Sequence, residues 1–165
     1  MFHVRPYRST DAEAVSDIIR TTMRISNSVD YLPERLQPLI DYFSSAKVEE
    51  INRSRICLVA EEEGKLLGTA GLEENEIVTF FVLPAHQGRG IGSALLRNLE
   101  EYARAQHIAE LKLDASLTGT PFYAHHGYRQ TGSIVDGTAG PQISMRKQLG
   151  LQDAQPLQFT SQPTR

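Results

Sequence analysis

The sequence predicts one α/β domain of the α+β type, a mostly antiparallel sheet covered by helices, and three observations carry that expectation. Short runs rich in β-branched and aromatic residues recur along the chain, a stretch with three- and four-residue apolar spacing stands among them, and a glycine-rich segment joins one such run to that stretch. At 165 residues the chain has the length of one ordinary domain. Its 40% hydrophobic and 22% charged residues set it apart from disordered and fibrous classes.

The segment FHVRPY, 2 to 7, reads as the first strand. Thr10 stands three before Glu13, the spacing of a capping box, and Val15, Ile18, Ile19 and Thr22 follow at helical intervals, so a helix is expected over 10 to 25. Residues 25 to 53 contain Pro33 and Pro38 and predict one or two short helices with breaks. RICLVAEE and KLLGTAGLE form a hairpin about Glu63-Gly64, and EIVTFFVL, 76 to 83, is a further strand stopping at Pro84. Ile91, Leu95, Leu96, Leu99, Tyr102 and Ala103 mark an amphipathic helix reaching about 105. The strand ELKLD, a short helix near 118 to 126, and the strands YRQTGSIV and PQISMRKQL, turning at Gly137 and Gly140, complete a domain over 1 to 149. Residues 150 to 165, rich in Gln, Pro and Thr, are expected as a flexible tail or as an arm against the partner of a homodimer.

No run approaches the roughly 20 apolar residues that span a bilayer, and MFHVRPYRST lacks the apolar core of a secretory signal, so no membrane partner and a cytoplasmic location are expected. Cys57 is the only cysteine. It permits no internal disulfide, offers no metal-ligand spacing and reads as a buried strand residue, so no metal is expected. A net charge of −3 argues against a nucleic-acid partner. The acidic groups at Glu61 to Glu63 and at Glu73, Glu74 and Glu76 read as solvated turns, with attraction of a cationic substrate as the alternative.

The junction VLPAHQGRGIGSALL places glycines between a strand and a helix, where the first helical amides lack acceptors and the helix dipole favours an anion. Gly88, Gly90 and Gly92 remove β-carbons that would hold a pyrophosphate away from the backbone, and Arg89 adds positive charge at the rim. The spacing lacks the Gly-Lys-Ser/Thr of a Walker loop and the Gly-x-Gly-x-x-Gly of a dinucleotide loop.

Gln87-Gly88-Arg89-Gly90-Ile91-Gly92 after FFVLPAH resembles the acetyl-CoA loop of the GNAT N-acetyltransferases. LDASLTGTPFYAHHGYRQTG resembles that family's second block, and GKLLGTAGL its central hairpin, so the likeness covers roughly 2 to 149. The resemblance implies a mixed, mostly antiparallel sheet of six to seven strands with about four helices. It implies that the sheet splays between its fourth strand, 76 to 83, and its fifth, 110 to 114. Acetyl-CoA would lie in the gap, with pantetheine along Phe81, Val82 and Leu83 and pyrophosphate on Gln87, Gly88, Arg89, Gly90, Ile91, Gly92 and Ser93. Ser116 and Phe122 would also touch the cofactor, although a cap between strand and helix explains Ser116 equally well.

Transfer to an amine needs a neutral nitrogen, and deprotonating an alkylamine of pKa about 10.4 at neutral pH costs about 4.6 kcal/mol. Glu76 lies eleven residues before Gln87, the separation at which histone-acetylating members of the family place a catalytic glutamate. Glu73 and a bound water are the alternative bases. By the same resemblance Tyr123 is the general acid for the leaving thiolate, and the backbone amide of Val82 or a neighbour stabilises the oxyanion. His125 and His126 are expected at the surface. The departure at His107, where relatives often carry Gly, leaves the cap of that helix end open and does not bear on catalysis. The expected activity is acetylation of a primary amine on a small molecule or peptide. A non-catalytic coenzyme A-binding module and a transferase for another acyl-CoA are the alternatives. The region 25 to 53, with Tyr31, Tyr42 and Phe43, and the turn at 136 to 140 are expected to set the acceptor.

Overall fold

Alternation along the strands puts apolar side chains on both faces of the central sheet, and helices cover each face. The computed structural model describes residues 1–150; apart from Gly150, the expected tail lies outside the described residues. Strands β1 (His3–Pro6), β2 (Ile56–Glu62), β3 (Lys65–Glu73), β4 (Glu76–Val82), β5 (Glu110–Ala115), β6 (Arg129–Asp136) and β7 (Pro141–Gln148) form one sheet in the order β1-β2-β3-β4-β5-β7-β6. All pairs are antiparallel except β4 with β5. Helices α1 (Ala12–Ile25), α2 (Pro33–Tyr42) and α3 (Ser45–Asn52) lie before β2, α4 (Ile91–Ala105) follows β4 and α5 (Thr120–His125) follows β5. The described helices therefore number five where about four were expected, because the irregular region yields two.

One face packs Leu58 and Ala60 of β2 against Ile91, Leu95, Leu96 and Leu99 of α4. Val59, between them on β2, belongs to the opposite cluster with Val15, Ile19 and Met23 of α1 and Val48 of α3. Cys57 is buried, as its strand context predicts. A second anchor ties the C-terminal strands to α4: the buried Glu100 carboxylate accepts from Lys147 Nζ at 2.8 and 2.9 Å and from the Tyr128 hydroxyl at 3.2 Å. Each polar group in that cluster has a partner, which is the condition for burying it. Among the described residues no helix is long and apolar enough to cross a membrane.

Two local expectations are corrected, and the open question at the end of α4 is answered. Thr10 does not cap α1; a short 3-10 turn, Ser9–Asp11, precedes the helix, and the Asp11 carboxylate accepts from the Arg8 backbone N–H at 2.7 Å. A carboxylate is the stronger acceptor, and Asp11 is further held by Arg5 at 2.8 and 2.9 Å. Pro38 does not break α2 but sits inside it. The carbonyl deprived of its intrahelical donor is that of Glu34, an exposed residue, where water can replace the missing N–H. The end of α4 is capped despite lacking glycine. Ile108 N donates to Ala103 O at 2.9 Å and His107 N to Arg104 O at 3.0 Å, a Schellman closure with His107 itself at φ 58.

Two effects on stability are expected. Burial raises the Asp11 carboxyl, but the bonds from Arg5 and Arg8 outweigh it and hold the group below the usual carboxylate range. A depressed carboxylate stabilises the fold above its unfolded pKa and loses that contribution as pH falls through the folded value. Asp11→Ala should therefore cost about 2 kcal/mol in urea unfolding at neutral pH, with a smaller difference in acid. His107→Gly removes the β-carbon from a left-handed position and should raise stability by about 1 kcal/mol in the same measurement.

Candidate functional site

The central strands separate almost as soon as they meet. β4 and β5 share the single register pair Glu76↔Lys112, beside a bond of 3.0 Å from Lys112 N to Asn75 O. Beyond it they diverge, and the gap is a cleft of about 1320 Å³ lined by β4 along its length and by Leu113, Asp114 and Ala115 of β5.

The β4 side carries a bulge that the sequence did not announce. Pairing with β3 passes from Gly71↔Val78 to Thr69↔Phe81, so Thr79 and Phe80 together oppose Ala70. Thr79 has φ 44, a left-handed conformation that a β-branched residue rarely adopts. A bulge reverses the facing of the strand residues beyond it. Ile77 and Phe80, three apart, both join the cluster on the α4 side, whereas Phe81 joins the one on the α1 side. Arg55 donates to the Thr79 hydroxyl at 2.8 Å.

At one end of the cleft the loop after β4 turns into α4. Gly88 and Gly90 adopt φ 75 and 84, conformations a side chain would strain, and Gly90 is the N-cap of α4. The first backbone bond of the helix start is Ala94 N to Gly90 O at 3.0 Å. The amides of Gly88, Arg89, Gly90, Ile91, Gly92 and Ser93 thus have no backbone acceptor among the described residues. Unpaired amides in sequence at the positive end of a helix of 15 residues form an anion cradle. Gly92 serves a different purpose from its neighbours: a β-carbon there would stand 3.2 Å from the Phe122 ring, so it permits α5 to pack against the start of α4.

The other expected residues fall in several places. Gln87, Gly88, Gly90, Ile91, Gly92, Ser93, Phe81, Val82, Ser116, Phe122, Tyr123, Glu73 and Glu76 all line the cleft. Arg89 and Leu83 do not. Arg89 is turned to the Glu62 carboxylate at 2.8 and 2.9 Å. Bonds from the Met1 amino group and from Arg89 hold Glu62 at a pKa of about 2, so the pair stays charged at neutral pH. Leu83 has its N–H bonded to Leu67 O and its carbonyl to His86 N. The Val82 carbonyl receives Gln87 Nε2 at 3.1 Å and the Thr22 hydroxyl at 3.4 Å. Ser116 Oγ accepts from Gly119 N–H at 3.1 Å, the capping geometry, while the residue still borders the cleft.

Tyr123 sits midway along the cleft, its ring centroid 5.7 Å from that of Phe80 and 5.1 Å from that of Phe122. Burial pushes its phenol well above the ordinary tyrosine value. Glu73 and Glu76 are register partners across the β3–β4 hairpin, at the end of the cleft away from the loop, and Lys112 Nζ lies 3.3 Å from Glu76. From Glu76 to Val82 the strand rises about 20 Å.

His125 is exposed as expected, but His126 is half-buried, with its ring 4.6 Å from Phe122. Its Nδ1 lies 2.8 Å from Phe122 O, a pure acceptor, so Nδ1 carries the proton; Nε2 lies 3.0 Å from Ser93 Oγ. The helical spacing of residues 122 and 126 contained this contact. Tyr31 is core and not pocket wall, with its hydroxyl donating to Pro141 O at 3.0 Å, whereas Tyr42 and Phe43 do line the cleft. The two segments expected to set the acceptor touch where Arg35 pairs with Asp136 at 3.2 Å. Asp30 reaches instead to the stretch before α5, accepting from the Thr118 N–H and hydroxyl at 3.0 and 2.7 Å.

A family model described as the acetyltransferase (GNAT) domain matches residues 28–149. The uncharacterized N-acetyltransferase YafP of Escherichia coli (strain K12) is 27% identical over 126 residues, 76% of this chain and 80% of that protein. A GCN5-related N-acetyltransferase from Rhodopseudomonas palustris is similar in structure, with a TM-score of 0.82 at 26% identity over 88% of this chain and 94% of that one. PaiA N-acetyltransferase from Thermoplasma acidophilum, solved in complex with coenzyme A, gives a TM-score of 0.77 at 22% identity over 90% of this chain and 99% of that one. With the family match spanning most of the domain and the sheet splayed as that family requires, the chain belongs to the GNAT acetyltransferase family and is an acyltransferase.

Proposed function

We propose that the protein transfers the acetyl group of acetyl-CoA directly to a primary amine of a small molecule or peptide. The observation that carries this reading is one cleft with three chemically distinct stations. Free amides from Gly88 to Ser93 stand at one end, the Tyr123 phenol in the middle, and the paired carboxylates Glu73 and Glu76 at the other end.

The loop amides suit pyrophosphate, and the end of β4 at Phe81 and Val82 suits the pantetheine arm. When bound, acetyl-CoA supplies a thioester whose C–S bond is exchanged for the new C–N bond. The amine gives up a proton and the thiolate gains one. Glu76, or Glu73 opposite it, attracts the cationic amine and receives its proton, directly or through water. Lys112 competes for the Glu76 carboxylate, which leaves Glu73 the freer of the two.

A buried phenol with a raised pKa is fully protonated at neutral pH, so it is always available as a donor. A thiol titrates near 8.5, lower than any unperturbed phenol, so complete proton transfer from Tyr123 to the thiolate is uphill. Its role is then to stabilise the leaving sulfur by a hydrogen bond, with the proton supplied from solvent. The amide of Val82 or a neighbour serves the carbonyl oxygen.

Calorimetry should show acetyl-CoA binding that Gly90→Glu abolishes, because that variant sets a carboxylate beside the anion cradle; undiminished affinity would remove the loop from the site. Thiol release across a panel of amines and peptides separates an enzyme from a binding module. In that assay Tyr123→Phe should lower kcat about 10- to 100-fold while leaving cofactor affinity within about twofold. Equal turnover would rule the phenol out.

A further inference from the structure

Arg55 stands in the loop between α3 and β2, beside the carboxylate end of the cleft, and is half-buried there. Its Nε donates to Asn52 Oδ1 at 2.8 Å and one terminal nitrogen to Thr79 Oγ1 at 2.8 Å, both neutral acceptors. No carboxylate pairs with it among the described residues, although Glu73 is near enough to act on it through space. Burial pushes the guanidinium below its usual value, the sign of a cation deprived of water without an ion partner. Such a group is costly unless something charged completes it. Its two bonds fix the plane of the guanidinium, which leaves the other terminal nitrogen free for an incoming anion.

The position relates this cation to the reacting centre. Thr79 is the strained bulge residue, and the next residue, Phe80, packs against Tyr123. Arg55 therefore meets β4 at the bulge, next to the residue that packs against the phenol-bearing ring. Glu73 and Glu76 border the same end. With Lys112 already on Glu76, Arg55 is the cation left here without a carboxylate partner among the described residues and Glu73 the carboxylate left without a cation bonded to it, an arrangement that complements a zwitterion. We propose that the acceptor is an amine bearing a carboxylate within a few bonds of its nitrogen, an amino acid or its close analogue, with Arg55 holding the carboxylate. This rests on the acetyl-transfer reading above and narrows it.

The test uses pairs of amines that differ only in the carboxylate, such as phenylalanine with 2-phenylethylamine and lysine with cadaverine, in a thiol-release assay. The carboxylated member should be favoured about 10- to 100-fold in kcat/KM. Arg55→Gln should erase the preference by raising KM for that member, with kcat and the rate on the decarboxylated member within about twofold. Arg55→Lys should restore part of it. Equal use of both members by the unaltered protein, or a preference that survives in Arg55→Gln, overturns the proposal. The decarboxylated amines serve as the control for a folding defect. If no amine is acetylated, the same amino acids are titrated into the protein in the presence of coenzyme A. Binding lost in Arg55→Gln then upholds the anion site while the transfer reading fails, and no binding overturns both.

Discussion

A parallel strand pair that ends after one register position leaves backbone donors and acceptors along two strands without each other. In most sheets that would be a defect, because unpaired buried backbone groups cost free energy. Here it is the constraint from which the rest is built. The chain leaving β4 must enter α4 at one end of the gap, and the chain leaving β5 must enter α5 beside it. Both helix starts therefore border one opening, and the amides ahead of Ala94 face a space in which a phosphate can replace the missing carbonyls.

The bulge at Thr79 adjusts that opening. A left-handed threonine costs on the order of 1–3 kcal/mol. The structure around it accommodates the strain: Arg55 bonds its hydroxyl, and Gly71 on β3 has no β-carbon, which would stand 3.0 Å from that same oxygen. In return Phe80 turns toward Tyr123 and Phe122, and the aromatic wall of the cleft is complete. The same threonine links the scaffold to the cleft, since the cation that steadies the bulge is also one without a carboxylate partner among the described residues.

The carboxylate end of the cleft is assembled from distant parts of the chain. Residues of α2, α3 and the β3–β4 hairpin meet around Glu73, and the β6–β7 turn reaches back to Tyr31 and Arg35. Side chains there have few local constraints. They are positioned by which elements pack together, so a change in any one of them alters the wall without disturbing the glycine loop at the other end.

Much of this was legible in the residues. The apolar period of α4, the Glu63-Gly64 hairpin and the glycines of the loop state local preferences that tertiary packing had no reason to override, and the succession of elements along the chain followed from them. The resemblance in two blocks carried the splay of the sheet. Local pattern failed where a competing interaction was remote. Thr10 lost the cap to an aspartate already held by Arg5, Pro38 was tolerated because its orphaned carbonyl is at the surface, and Arg89 found Glu62 across the fold. Thr79, in a run of β-branched and aromatic residues, looks like any strand residue; its bulge depends on a glycine in the neighbouring strand. The residues by themselves specified a glycine-rich strand-to-helix turn within an α+β domain, because period and glycine spacing are properties of adjacent residues. Only the tertiary structure decided that Tyr123, Glu73, Glu76, His126 and Arg55 share one cleft's surroundings, because those positions are brought together by sheet pairing and helix packing over long stretches of chain.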